Sequence, residues 1–165
     1  AIFPYLKENL DGIITVGDAE LVVSFLDMVE NHKMVVENSG LLTVAALKHL
    51  DAKNKKIVAI LSGGNMDVIT MSSVVQQGLV LRDRIFSVSV LLPDKPGELS
   101  RVADVIAKQN GNVIKLEHNQ FVSINRNAAV ELRITMEAYG TEHKNQIISA
   151  LQQNGYQPKL IRASI

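Results

Sequence analysis

Ile85-Phe86-Ser87-Val88-Ser89-Val90-Leu91-Leu92-Pro93-Asp94-Lys95-Pro96-Gly97-Glu98-Leu99 is the stretch that decides the fold of the second half of this chain. Residues 85–90 alternate apolar and polar, the period of a half-buried strand. Pro93 to Gly97 is a turn cluster: proline presets φ, and glycine opens the left-handed region. The period then changes. Leu99, Val102, Ala103, Ile106 and Ala107 fall on one helical face. Asn110-Gly111 closes that helix. Asn112 to Asn119 reads as a strand, and Gln120 to Asn127 as a polar hairpin connection. Ala128 to Ala138 alternates again, with Val130, Leu132, Ile134 and Met136 on one face. Gly140 to Asn154 carries Ile147, Ile148 and Leu151 at helical spacing, and Gln157 to Ile161 is a last short strand. The order β-α-β-β-α-β predicts a ferredoxin-like arrangement.

Gly78 to Arg84 reads as a junction. Upstream of it, β-type runs alternate with helical patterns. Gly12–Val16, Met34–Val36 and Lys56–Leu61 are the runs. Between them, Asp18 is a plausible N-cap for Leu21, Val22, Phe25, Met28 and Val29, and Leu41 to Leu50 is helical in pattern. A further helix is expected from Met66 to about Gln77. This is α/β alternation with too few strands for a complete doubly wound sheet. The expected organisation is a partial three-layer α/β segment over residues 1–80 and a βαββαβ domain over 85–165. The chain opens Ala-Ile-Phe-Pro, with no initiator methionine, and reads as cut within a larger protein.

Composition narrows the function classes. Of 165 residues, 47% are apolar and 21% charged, as in a globular protein. Seventeen basic residues balance seventeen acidic ones, which removes any electrostatic case for nucleic acid or an anionic membrane. The strands also lack the aromatic pairs on which bases stack. Without cysteine there is no disulfide, no thiolate metal site and no cysteine nucleophile; a reducing, cytoplasmic setting fits. No apolar run approaches the ~20 residues that span a bilayer. The four histidines show no metal-ligand spacing. Ser100 and Ser123 have no acid–base partner pattern.

Ser62-Gly63-Gly64-Asn65 ends the apolar run Lys56–Leu61 and precedes a helix. Strand, glycine turn, helix brings backbone and a hydroxyl close to a ligand at the end of a sheet. An ordinary tight turn with a helix cap is the alternative, and Asp67 is best read as that cap. His118 could contact a ligand or a partner subunit; a surface histidine is the preferred reading. His32, His49 and His143 read as solvated.

Two resemblances join on these residues. Asp94-Lys95-Pro96-Gly97-Glu98-Leu99, with Asn110-Gly111-Asn112-Val113-Ile114, resembles an ACT domain over residues 85–165. That resemblance implies an amino-acid effector, isoleucine or valine, at Asp94, Lys95, Gly97, Glu98, Leu99, Asn112, Val113 and Ile114. It also implies a homo-oligomer formed by ACT pairing. Phe3-Pro4, Asp11–Val16, Val35–Gly40 and Ser62–Asp67 resemble the end of the catalytic region of pyridoxal-phosphate-dependent threonine/serine dehydratases. Together they imply the C-terminal part of such an enzyme, which turns threonine into 2-oxobutanoate and ammonia. The cofactor-binding residues implied are Ser62, Gly63, Gly64, Asn65 and Glu37; for Glu37 the alternative is a surface carboxylate. In that family the Ser62 position sets its hydroxyl beside the cofactor's pyridine nitrogen. The family's covalent lysine and glycine-rich phosphate loop have no counterpart here, so no catalytic residue is assigned and this chain alone should be inactive. Where the family has Pro-Ala-Gly, this chain has Asn38-Ser39-Gly40. A non-catalytic amino-acid-binding module acting through association is the competing reading.

Overall fold

The computed structural model describes residues 2–119 and 130–163. The chain divides into two compact units, Ala1–Gly78 and Leu79–Ile165. The first holds α1 (Phe3–Asn9), α2 (Asp18–Asp27), α3 (Leu42–Ala46) and most of α4 (Val68–Leu81). A π-helical turn, Met28–His32, extends α2, and single 3-10 turns, Asn38–Leu41 and Leu47–His49, flank α3. Sequence reading missed α1. It carries Pro in its first turn, a helix-start signal, but buries no residue and so has no apolar stripe to detect.

Helix α2 packs as its spacing predicts. Leu21, Val22, Phe25 and Met28 form a core with Val36, Leu41, Ala45 and Val74. Its N-cap is Gly17 rather than Asp18, and Glu20 Oε2 accepts the Gly17 N–H at 2.8 Å. The expected helix over 41–50 is broken into 3-10, α and 3-10 turns. Asp67 caps α4, its Oδ1 accepting the amides of Ile69 and Thr70 at 3.0 and 2.9 Å. Met66 lies ahead of the helix, its N–H turned back to the Gly64 carbonyl at 3.0 Å.

The three N-terminal runs correct the sequence reading. Gly12–Val16, Met34–Val36 and Lys56–Leu61 have strand composition, yet none forms a strand in the structure. The expected sheet layer of the first unit is therefore absent among the described residues, although its helices are present. A strand is a pairing, and parallel ladders need a neighbour on at least one edge. One long-range backbone bond joins the segments that follow the second and third runs, from Glu37 N–H to the Gly63 carbonyl at 3.3 Å. Ile13, Val58 and Ile60 are 78%, 88% and 72% exposed, where a paired and covered strand would bury them.

The second unit holds β1 (Ile85–Leu92), α5 (Glu98–Lys108), β2 (Asn112–Asn119), β3 (Val130–Glu137), α6 (Thr141–Gln153) and β4 (Lys159–Ile161). The sheet order is β2-β3-β1-β4, with every neighbouring pair antiparallel. This is the ferredoxin-like βαββαβ arrangement. The expected hairpin connection at 120–127 lies outside the described residues. One sheet face, Phe86, Val88, Val90 and Leu92 with Leu132, Ile134 and Met136, packs on Val102, Ile106, Ile147 and Leu151 of the helices. Each fully buried aliphatic chain there contributes about 1.5–3 kcal/mol. The opposite face is polar. Ser87 and Thr135 share a buried 2.7 Å hydrogen bond, and Ser89 Oγ donates to Glu131 Oε1 at 2.6 Å.

Local details close the unit. Asn110, at φ 59°, ends α5, and the Gly111 N–H returns to the Ile106 carbonyl at 3.0 Å. A Cβ at Gly111 would lie 2.7 Å from Ile106 Cγ2, so this glycine admits core packing. Asp83 ties the entry of β1 to α6: Thr141 Oγ1 and Lys144 Nζ donate to its two oxygens at 2.8 and 2.7 Å. Burial pushes the Asp83 carboxyl up, but those bonds and the Lys144 charge outweigh it and hold the carboxyl below its ordinary value. Among the described residues no helix is long and apolar enough to cross a membrane, and no group of acidic or histidine side chains is arranged to hold a metal.

Candidate functional sites

The glycine loop of the first unit is built around Glu37. Glu37 follows the apolar run Met34–Val36 and precedes the 3-10 turn Asn38–Leu41. Its N–H reaches the Gly63 carbonyl, and Ser39 Oγ donates to its carboxylate at 2.7 Å. Two glycines make this approach feasible. A Cβ at Gly63, where φ is +79°, would stand 2.3 Å from Glu37 Oε1. A Cβ at Gly40 would stand 1.5 Å from the Ser62 carbonyl oxygen. The structure thus brings Glu37 and Ser62-Gly63-Gly64 together across 25 residues of chain. The Ser62 hydroxyl is exposed and makes no hydrogen bond among the described residues. Asn65 is exposed beside it. The loop thus presents a hydroxyl beside two residues that have no side chain. The loop itself offers neither a lysine nor a phosphate cradle.

The second site lies at one end of the ferredoxin-like unit. A cavity of about 330 Å³ is enclosed by the β1–α5 loop, the start of α5 and the facing strand ends. Asp94, Lys95, Gly97, Glu98 and Leu99 all line it. Gly97 adopts φ +92°, the left-handed turn that only glycine takes without strain. No side chain caps α5, and the amides of Leu99 and Ser100 meet no acceptor among the described residues. Glu98 is engaged: Arg101 donates to it at 2.8 Å, and the Tyr156 hydroxyl lies 3.5 Å from its other oxygen. Burial, then the nearby Glu98 charge, raises the Tyr156 phenol above its ordinary value.

Asn112, Val113 and Ile114 are not brought to this cavity. Asn112 pairs with Glu137, at the opposite end of β2, and donates to that carboxylate at 2.7 Å. His118 lines the cavity instead. Plain alternation from Val113 would put His118 on the outer face. A β-bulge between Val113 and Lys115 shifts the register, so that Leu116 opposes Ile134 and His118 opposes Leu132. Both of those partners are fully buried on the helix-facing side. His143 also departs from the expectation of a solvated ring. It accepts the Tyr139 N–H at 3.0 Å, donates to the Gln109 carbonyl at 2.6 Å, and stacks on Tyr139. His49 is tied to Glu20 at 2.8 Å.

No family model matches the chain. Among curated proteins, an L-threonine ammonia-lyase of Geobacter sulfurreducens is 35% identical over 156 residues, covering 93% of this chain and 39% of that protein. An L-threonine ammonia-lyase of Thermotoga maritima is 28% identical, over 96% of this chain and 40% of its own length. A biosynthetic L-threonine dehydratase of Staphylococcus aureus is 30% identical over 70% of the chain and 28% of its own length. A solved structure from Bacteroides thetaiotaomicron aligns at TM-score 0.36 and 23% identity, covering 47% of this chain and 48% of that one, and carries no argument. The chain spans about two fifths of the length of the first two relatives. Over almost its whole length, this chain is a relative of the threonine ammonia-lyases and dehydratases, matching a portion of each.

Proposed function

We propose that this chain is the C-terminal portion of a pyridoxal-phosphate-dependent L-threonine ammonia-lyase. It would join the end of the cofactor-binding region to an ACT-type unit that senses an amino acid. The observation that carries this reading is the Ser62-Gly63-Gly64 loop folded against Glu37, in a chain whose relatives bear that activity by name. When bound, the cofactor supplies an electron sink through which threonine loses its α-proton and β-hydroxyl, ending as 2-oxobutanoate and ammonia. The chain's own share is narrower. Ser62 would hold the cofactor's pyridine nitrogen with a neutral hydroxyl, which does not keep that nitrogen protonated as a carboxylate would. The weaker electron sink suits elimination of the β-hydroxyl more than reactions that need a long-lived carbanion. Glu37, oriented by Ser39, would support the loop beside the ring. The covalent lysine and the phosphate cradle belong to the rest of the enzyme.

In the second unit, the loop cavity takes a hydrophobic amino acid, isoleucine or valine. Asp94 attracts its ammonium, and the open amides of α5 its carboxylate. Leu92, Leu99 and Val130 supply aliphatic wall. Regulation requires that this binding favour one quaternary state, and pairing of two such units is the expected contact. A second reading is a non-catalytic amino-acid-binding module that acts through association, and the loop cavity of the ferredoxin-like unit is the observation that favours it. A chimera separates the two. The matching portion of the Geobacter enzyme is replaced by this chain, and 2-oxobutanoate formation from threonine is followed. The proposal expects activity that falls at least tenfold in Ser62→Ala. A folded chimera whose activity ignores Ser62 favours the second reading.

A further inference from the structure

We infer that His118 is a specificity-determining residue of the loop cavity, donating a hydrogen bond to the carboxylate of the bound amino acid. This rests on the effector reading above and assigns one end of the ligand to the sheet.

The argument begins with the bulge. The register shift between Val113 and Lys115 turns His118 from the polar face of the sheet to the helix-facing side, opposite Leu132. A histidine at that position would normally meet core. Here it meets the cavity, beside Val130 and across from the β1–α5 loop. The cavity's charged groups then sort themselves. Glu98 is already compensated by Arg101 at 2.8 Å. Asp94 provides an anion for the ligand's ammonium. Among the described residues that line it, two side chains with N–H groups remain for a carboxylate, Lys95 and His118. Lys95 sits on the loop and ends a flexible four-carbon stem, so it supplies charge without fixed direction. His118 sits on a paired strand and offers a planar ring with a directed N–H. A ligand that spans from Asp94 to the strand end is thereby oriented, with its aliphatic chain left to Leu92 and Leu99. Molecules with no oxygen acceptor at that end lose the contact. Among the described residues, the other charged groups that line the cavity are Asp94, Lys95 and Glu98, and Glu117 and Asn119 flank His118 along its strand.

Calorimetric titration of the chain tests this with isoleucine and 2-methylbutylamine, its decarboxylated counterpart, in wild type, His118→Gln and His118→Phe. Glutamine keeps an N–H donor, whereas phenylalanine keeps a planar ring without one. A hydrogen bond to a charged group predicts a loss of about tenfold or more in isoleucine affinity for His118→Phe. His118→Gln should stay within about threefold of wild type. The amine, which has no oxygen to accept the His118 N–H, should bind the wild type and His118→Phe alike. Equal losses in the two variants, no loss in His118→Phe, or an equal loss for the amine overturns the assignment while leaving the effector site standing. If the amine does not bind the wild type, the contrast between the two variants on isoleucine decides. If wild type binds neither isoleucine nor valine, the effector reading falls, and this inference with it.

Discussion

Gly40→Ala is the sharpest test of the first site, because the obstacle it meets is backbone. The new Cβ would lie 1.5 Å from the Ser62 carbonyl oxygen, 2.7 Å from the Ser62 carbonyl carbon and 2.8 Å from Val36 Cγ1. Ordinary contact begins near 3.4 Å, so the Ser62 carbonyl must retreat by about 2 Å. No rotamer change relieves this. The retreat pulls on the next residue, whose carbonyl accepts the Glu37 N–H at 3.3 Å. Overpacking alone costs about 1–3 kcal/mol, and losing the backbone bond adds about 1 kcal/mol. The expected destabilisation is therefore about 2–4 kcal/mol. Gly12→Ala is the control, since nothing lies within 4 Å of its new Cβ. It should change stability by less than about 0.5 kcal/mol. Urea unfolding gives the energies, and hydrogen exchange over residues 57–66 reports the loop. If Gly40→Ala unfolds with Gly12→Ala and its loop exchanges as in wild type, the packing of the Asn38–Leu41 turn on Ser62 is wrong.

Two further outcomes concern the second unit. Ser87→Ala should cost about 1–2 kcal/mol in chemical unfolding, because it strands the buried Thr135 hydroxyl; Ser87→Ala with Thr135→Val together should come within about 0.5 kcal/mol of wild type. Asp83→Asn should cost about 1 kcal/mol at neutral pH. The Asp83 carboxyl is held below its unfolded value, so its contribution is complete above pH ~4 and fades as pH falls through the lowered folded value. The variant should accordingly lose part of its disadvantage in acid, as read by thermal melting between pH 7 and pH 2.

The second unit was legible because its signals are local. Strict alternation in Ile85–Val90, turn chemistry at Pro93–Gly97 and the apolar stripe of α5 each agree with the ladder and core that form. The first unit was misread where structure depends on a neighbour. Val58 and Ile60 belong to a run with strand composition, but composition cannot provide the partner that makes it a strand. Asp18 offered a side-chain cap, yet Glu20 satisfies the Gly17 amide from one turn inside the helix. At the sites, the loop residues 94–99 converge as their sequence suggested. His118 stood as a possible ligand contact, but a surface histidine was the preferred reading, because one bulged residue in β2 reverses the face that alternation assigns. Asn112 and Val113 sit beyond that same bulge, toward the other end of β2, and Ile114 is the bulged residue. Glu37 meets Gly63, and Gly40 meets Ser62, more than twenty positions away along the chain, and both approaches depend on missing Cβ atoms that no periodicity records.

Calorimetric titration of the chain with isoleucine, valine and threonine, with Gly97→Asp alongside, tests the central claim most directly. An aspartate at φ +92° strains the turn and sets a second carboxylate beside Asp94. The account predicts saturable binding of isoleucine or valine, one molecule per chain, lost in Gly97→Asp while the variant's fold persists by circular dichroism. Binding of none of the three, or binding that Gly97→Asp leaves intact, contradicts it.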